Sequence, residues 1–161
     1  MDVGVIGVGV VGGACKFGFE LAGHNVLVHD IALETTIDDV LPSEVVYICV
    51  PTPRDDDGSC DISIVRQVIS ELKNKGYEGV IAIKSTVVPG TTEILRMQTG
   101  MNIIFVPEFL RERCAITDFT ENHDVCIIGC SDDETFEIVK DCHGPFPEKF
   151  VRLSHAEAEF C

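Results

Sequence analysis

The sequence predicts an α/β protein with a doubly wound, mostly parallel sheet and helices on both faces. Three observations predict it. Strand-length apolar runs alternate with amphipathic stretches along the whole chain, as βαβ units around a parallel sheet require. The stretch 61–75 has helical spacing, with Ile64, Val65, Val68, Ile69 and Leu72 on one face and Arg66, Lys73 and Lys75 elsewhere. The first apolar run leads into a glycine-rich turn, Gly7-Val8-Gly9-Val10-Val11-Gly12-Gly13, with a helix-length stretch behind it.

In chain order, strands are expected near 2–6, 25–29, 45–50, 79–84, 102–106, 124–129 and 149–153, and helices near 11–22, 61–75, 91–98 and 132–142. The first strand, turn, helix and second strand form a dinucleotide-binding fingerprint of Rossmann-like type. Gly7 permits the tight turn, Gly9 lets backbone approach a pyrophosphate, and Gly12 lets the helix pack closely on the sheet. Free amides at the helix start face the phosphates. Asp30 ends the second strand 18 residues past Gly12, where a carboxylate accepts hydrogen bonds from both ribose hydroxyls of an adenosine. No Arg or Lys follows it closely, so NAD is favoured over NADP. The polar connection between Asp30 and Val45 is too short for a long crossover helix, and its structure is left open.

Ligands of open α/β sheets bind outside the carboxyl ends of the strands, and three such ends carry unusual sequence. The first is Val50-Pro51-Thr52-Pro53, a rigid exit that leaves a hydroxyl and carbonyls at the cleft. Before the next strand, Asp61 is the expected N-cap of helix 61–75 and Gly76 its stop. The second end is Lys84-Ser85-Thr86-Val87-Val88-Pro89-Gly90, two adjacent hydroxyls ahead of a Pro-Gly turn and a helix start. The third is Pro107-Glu108-Phe109-Leu110-Arg111-Glu112, with two carboxylates four residues apart. As a helical turn it puts both on one face; extended, its backbone groups clamp a ligand. By composition alone the second end reads as a helix cap and the third as a solvated acidic turn.

Composition narrows the remaining classes. The 161 residues, 45% hydrophobic and without a low-complexity tract, suit one compact domain over 1–161. No apolar run approaches a membrane span, and Asp2 with the glycine turn occupies the place of a signal peptide. A net charge of −15 argues against nucleic acid and anionic membranes as partners. Of the eight cysteines, Cys49 and Cys126 fall in strand patterns and Cys15 in the first helix, which fits buried free thiols in a reducing cytoplasm. With one close cysteine pair and five scattered histidines, no metal site is expected.

Taken together, these segments resemble the amino-terminal domain of the UDP-glucose/GDP-mannose dehydrogenase family. The stretches that carry the resemblance are 7–12 with Asp30, Val50-Pro51-Thr52-Pro53, Asp57-Gly58-Ser59-Cys60-Asp61-Ile62-Ser63, residues 84–93, residues 107–112, and Ala156-Glu157-Ala158-Glu159. The resemblance implies oxidation of a nucleotide-sugar C6 alcohol, UDP-glucose or a relative, to a uronate in two NAD-dependent steps through a cysteine thioester. It implies that Gly7 to Gly12, Asp30, Val50 to Arg54, Ser85, Thr86 and Glu112 touch NAD. Glu108 would be the acid/base that assists thioester hydrolysis, with Thr86 helping to hold the water. The segment Glu108, Phe109, Leu110, Arg111 and Glu112 would also contact the sugar nucleotide through its backbone.

The departures from the family pattern also carry information. No cysteine lies in a Gly-rich Cys-x-Pro-Lys-Asp setting, so none is assigned as nucleophile. The 31–44 connection is short and lacks the family's basic residue near the adenosine phosphates, which implies weaker cofactor binding. Ala156 to Cys161 reads as a helix cut in its second turn, so the expectation is a fragment that ends at the start of the family's long central helix and is inactive alone. A homodimer through that helix is compatible with the resemblance. The competing class is a stand-alone NAD-binding or sensing module without turnover.

Overall fold

All seven apolar runs become strands of one sheet in the computed structural model, which describes residues 1–54 and 58–161. Asp57, named in one of the stretches above, lies outside the described residues. The strands are β1 (Asp2–Ile6), β2 (Asn25–His29), β3 (Val45–Ile48), β4 (Val80–Ile83), β5 (Ile103–Phe105), β6 (Val125–Gly129) and β7 (Lys149–Leu153). Their order is β2-β1-β3-β4-β5-β6-β7, and the first five are mutually parallel. The chain goes outward from β1 to β2, then returns to the far side of β1 to begin β3. That reversal puts the topological switch point between β1 and β3, where diverging connections leave a crevice at the carboxyl ends.

The helices are α1 (Val10–Leu21), α2 (Ser63–Asn74), α3 (Thr91–Thr99), α4 (Ala115–Thr120), α5 (Asp133–His143) and α6 (His155–Glu159). Two apolar cores form on opposite faces of the sheet. Phe19, Tyr47, Ile104, Phe119 and Val139 belong to one, and Ile48, Ile69, Leu72, Ile83 and Leu95 to the other. Every residue of β3, β4 and β5 is buried, as central parallel strands covered on both faces must be. No helix among the described residues is long and apolar enough to cross a membrane.

Several boundaries differ from the sequence reading. β3 stops at Ile48 rather than at 50, because the Ile48 carbonyl accepts both the Lys84 and Ser85 amides and the ladder ends there. α2 starts at Ser63, and the Asp61 carboxylate accepts the Ser63 amide at 2.8 Å, closing a turn ahead of the helix. Gly76, at φ +75°, ends it as expected. Ile64 leaves the apolar face and is half exposed. The 31–44 connection contains a 3-10 turn, Ile37–Val40, held by reciprocal Thr36 and Asp39 hydrogen bonds with Ile37 and Val40 buried. β6 runs antiparallel to β5, meeting it at Phe105 and Gly129. The connection between them holds a 3-10 turn, Glu112–Cys114, and α4, which packs on α1; it makes no crossover, so the chain re-enters the sheet at the end it left.

One buried polar residue makes the fold pH-sensitive. His143 is fully buried, stacked on Phe119 at 5.8 Å and edge-on to Phe19 at 5.4 Å. Its Nδ1 donates to the Val139 carbonyl at 2.9 Å. Burial, reinforced by the Lys84 charge, holds the imidazole well below the ordinary histidine range. The unfolded chain therefore takes up this proton first on acidification. Stability is complete above about pH 6.5 and falls as the pH drops toward the folded-state value, at up to about 1.4 kcal/mol per pH unit. His143→Phe, which keeps the ring packing, is expected to flatten that slope between about pH 5 and 6.5. Urea midpoints across the range measure it, and identical slopes for both proteins would count against a neutral buried imidazole.

Candidate functional site

Because β2, β1, β3, β4 and β5 are parallel and adjacent, their carboxyl ends lie along one edge. In spatial order that edge presents Asp30, Gly7, Val50, Ser85 and Pro107. The fingerprint and the three strand exits, far apart in sequence, are thus neighbours.

The glycine turn has the close packing that its spacing predicts. Gly7 sits at φ +88°, and a Cβ there would lie 2.8 Å from the Cys49 carbonyl. A Cβ on Gly12 would come within 1.8 Å of the Gly7 oxygen, so α1 starts against the turn itself. Gly9 precedes the helix with no side-chain cap, and no acidic residue occupies the first turn. A Cβ on Gly9 would meet nothing within 4 Å, which leaves that side open. Unpaired first-turn amides with the positive helix end form an anion site, and a pyrophosphate fits it.

Asp30 closes the turn from the side. Its Oδ2 accepts the Val8 amide at 2.6 Å and its Oδ1 the Ala32 amide at 2.8 Å. The Ala32 amide first, then Val8, hold its carboxyl below the usual range. An ionised carboxylate offers about four lone-pair sites, so two remain for a ribose diol. Beside it lies a cavity of about 300 Å³ walled by Gly7, Ile37, Pro51 and the α2 residues Ile64 and Val68. This explains the half-exposed Ile64. The turn, the acid and an apolar slot fit an adenine dinucleotide.

Further along the edge, the Ser85 hydroxyl donates to the Val50 carbonyl at 2.6 Å, tying the exits of β3 and β4 together. Sequence assigned Ser85 to the cofactor; its proton is turned inward and the residue is buried. Thr86 is exposed. Its carbonyl lies 3.3 Å from the Cys60 sulfur, which also approaches the Thr52 carbonyl at 3.9 Å, so the second strand exit and the 58–60 loop are linked.

Thr86 and Glu108 line one cavity of about 170 Å³, together with Lys84. Lys84 Nζ lies 2.9 Å from Glu108 Oε2, with the two side chains 2% and 11% exposed. The contact is an ion pair without hydrogen-bond alignment at Oε2. Burial alone would pull the ammonium down, but the Glu108 carboxylate more than reverses this and Lys84 stays charged. Glu108 Oε1 accepts the Phe109 and Leu110 amides at 2.9 and 3.2 Å. Of the two conformations open for 108–112, the structure has the non-helical one, with a 3-10 turn starting only at Glu112. The Arg111 amide is donated to Asp118, whose carboxylate also grips the Arg111 guanidinium at 2.9 and 2.6 Å. A ligand meeting this segment through its backbone therefore meets carbonyl oxygens at Phe109 and Leu110 rather than amides. Glu112 lies elsewhere on the edge, lining a cavity of about 430 Å³ with Gly9 and Val10.

All eight cysteines are free. Cys15 and Cys126 are buried as expected, whereas Cys49 lies past the end of β3 and is only half-buried; Cys130 and Cys142 are buried too, and Cys114 and Cys161 are exposed. Burial pushes the Cys126 thiol up to about 12 and raises Cys15 well above its ordinary value, so both remain protonated at neutral pH.

Sequence reasoning missed two residues here. Lys84 was read as the start of a motif, and no local signal announces its partner on the next strand. Glu159 accepts the Gly90 amide at 2.5 Å and both the amide and hydroxyl of Thr92 at 2.7 and 2.6 Å. It therefore caps α3 from α6 across 67 residues of sequence.

Comparison with known proteins supplies the context. A model of the NAD binding domain of the UDP-glucose/GDP-mannose dehydrogenase family matches residues 32–147, more than half of the chain. UDP-glucose 6-dehydrogenase AglM of Haloferax volcanii is 30% identical over 78% of this chain and 34% of its own length. The UDP-glucose 6-dehydrogenase of Pseudomonas aeruginosa is 34% identical over 73% of this chain and 29% of its own. The solved structure of a UDP-glucose dehydrogenase from the hyperthermophilic archaeon Pyrobaculum islandicum superposes with a TM-score of 0.85 at 26% identity, over 99% of this chain and 47% of that one. The chain thus spans about a third of the length of these curated relatives. The family model's match begins after Asp30, whereas the superposed structure covers 99% of this chain.

Proposed function

The chain belongs to the UDP-glucose/GDP-mannose dehydrogenase family as an NAD-binding domain, and from that premise we propose that it forms the cofactor half of a nucleotide-sugar 6-dehydrogenase of the UDP-glucose type. NAD, when bound, supplies the hydride acceptor for oxidation at C6. The residues of this chain do the rest of the work on this side of the cleft. Asp30 accepts the adenosine ribose hydroxyls, the first-turn amides of α1 and the glycines around them hold the pyrophosphate, and Val50 to Pro53 with Ser85 and Thr86 flank the nicotinamide end. Glu108 takes a proton from the water that hydrolyses a thioester, Thr86 helps to hold that water, and 108–112 meets the sugar nucleotide. General-base assistance requires such a carboxylate beside the water.

The observation that carries the reading is the common edge, on which the ribose acid, the glycine turn, Thr86 and Glu108 follow one another in the order a dinucleotide and its reacting carbon demand. Turnover by this chain alone is not expected, since the thioester-forming thiol that the family resemblance implies has no counterpart among the residues assigned here. Calorimetry tests the binding assignment. NAD should bind more tightly than NADP, whose 2′-phosphate meets the ionised Asp30, and Asp30→Ala should weaken NAD about 10- to 100-fold. Equal affinities for the two nucleotides would remove Asp30 from the site. NADH formation at 340 nm with UDP-glucose tests the second half of the claim, and turnover dependent on one of the eight cysteines would sink it.

A further inference from the structure

We propose that Lys84 is the positioning residue of the Glu108 base: from the exit of β4 its ammonium keeps the Glu108 carboxylate charged inside a sheltered site and fixes which way it faces. This assignment rests on the reading above that Glu108 takes a proton from the hydrolytic water. In that step the water proton goes to Glu108, the water oxygen bonds to the thioester carbonyl carbon, and the sulfur leaves with the electrons of the C–S bond.

A base for such a step meets two opposing requirements. It must lie where bulk water is excluded, and it must be ionised at neutral pH to have a lone pair for the proton. Burial works against the second, because a carboxyl taken out of water favours its neutral form. The Glu108 side chain is only 11% exposed, and most of its neighbours oppose its charge. Asp118 and Asp124 line a cavity with it on one side, and Glu159 lines a cavity with it on the other. Arg111 is held by Asp118. His123 lines the first cavity too, but burial, followed by the Lys84 charge, holds its imidazole below the ordinary range, so it brings no charge at neutral pH. The Cys15 and Cys126 thiols stay protonated.

That leaves Lys84 as the compensating cation, 2% exposed and 2.9 Å from Oε2. Among the described residues no other carboxylate pairs with it. Orientation follows from the same contacts. Oε1 accepts the Phe109 and Leu110 amides and Oε2 faces the ammonium, so each oxygen has its own restraint. Thr86 lines the cavity beside the pair, where the water is assigned.

NMR of the chain tests this without turnover. The carbon-13 shift of the Glu108 carboxyl and the nitrogen-15 shift of the Lys84 ammonium are followed against pH, each assigned by its own substitution. At about pH 7 the native chain should show a carboxylate. In Lys84→Met the carboxyl should take up its proton at a higher pH than in the native chain, and Lys84→Arg, which keeps a charge, should reverse that change. Should Lys84→Met fail to fold, Glu108→Gln reads the same coupling from the other side. The Lys84 ammonium should then lose its proton at a lower pH than in the native chain, because the coupling is reciprocal. A contact that serves packing alone would move neither titration. An unmoved Glu108 titration in Lys84→Met, no reversal in Lys84→Arg, or an unmoved Lys84 titration in Glu108→Gln would overturn the proposal and leave Glu108 standing as the base. A carboxyl already protonated at about pH 7 in the native chain would overturn the reading of Glu108 as the base, and the proposal with it.

Discussion

Lys84→Met is expected to destabilise the fold by about 3–5 kcal/mol, the usual loss when one partner of a buried ion pair is removed. Methionine keeps the length and the apolar stem of the side chain, so the effect isolates the charge. In the native protein the ammonium is 2% exposed and lies 2.9 Å from Glu108 Oε2. Without it the carboxylate keeps the Phe109 and Leu110 amides on Oε1 and has nothing opposite Oε2. The double variant Lys84→Met, Glu108→Gln removes both charges and is expected to recover most of the loss. Urea denaturation with a common m-value is the measurement. A single variant within about 1 kcal/mol of the native chain would mean that water reaches the pair.

Gly12→Ala is expected to lose NAD binding by more than about 100-fold and to cost about 3 kcal/mol or more of stability, at the upper end for overpacking. The added Cβ falls 1.8 Å from the Gly7 carbonyl oxygen, and backbone cannot swing aside as a side chain can. The helix start must move away from the sheet, carrying its unpaired amides with it. Gly9→Ala separates this from a direct effect on the ligand. Its Cβ would meet no protein atom within 4 Å and points into the open side of the turn. It should leave the thermal midpoint within a few degrees while still weakening NAD about 10-fold or more. Loss of stability in Gly9→Ala equal to that in Gly12→Ala would contradict the division of labour between the two glycines.

What could be read from sequence depended on the range of each interaction. Helix α2 was legible because its apolar residues recur at helical spacing; its start at Ser63, with Ile62 rather than Asp61 at the N-cap, and the exposure of Ile64 on the slot beside Asp30 were not. Asp30 was legible because turn, helix and strand lengths between Gly7 and the end of β2 are set by local geometry. The two conformations left open for 108–112 were resolved only by Glu108 folding its own carboxylate back onto the Phe109 and Leu110 amides, with Asp118 holding Arg111.

By itself the sequence determined the alternation of strand and helix, the glycine turn with Asp30 at its side, and the set of strand exits that carry polar groups. Each depends on periodicity or on steric rules acting within about one supersecondary unit. The tertiary structure alone decided that β6 enters antiparallel, that Lys84 meets Glu108, that Glu159 caps α3, and that the start of α2 walls the slot beside Asp30. These pairings join residues on different strands and helices. Their partners are chosen by the order in which strands enter the sheet and by the need to satisfy buried charge and unpaired amides, neither of which leaves a local pattern in the chain.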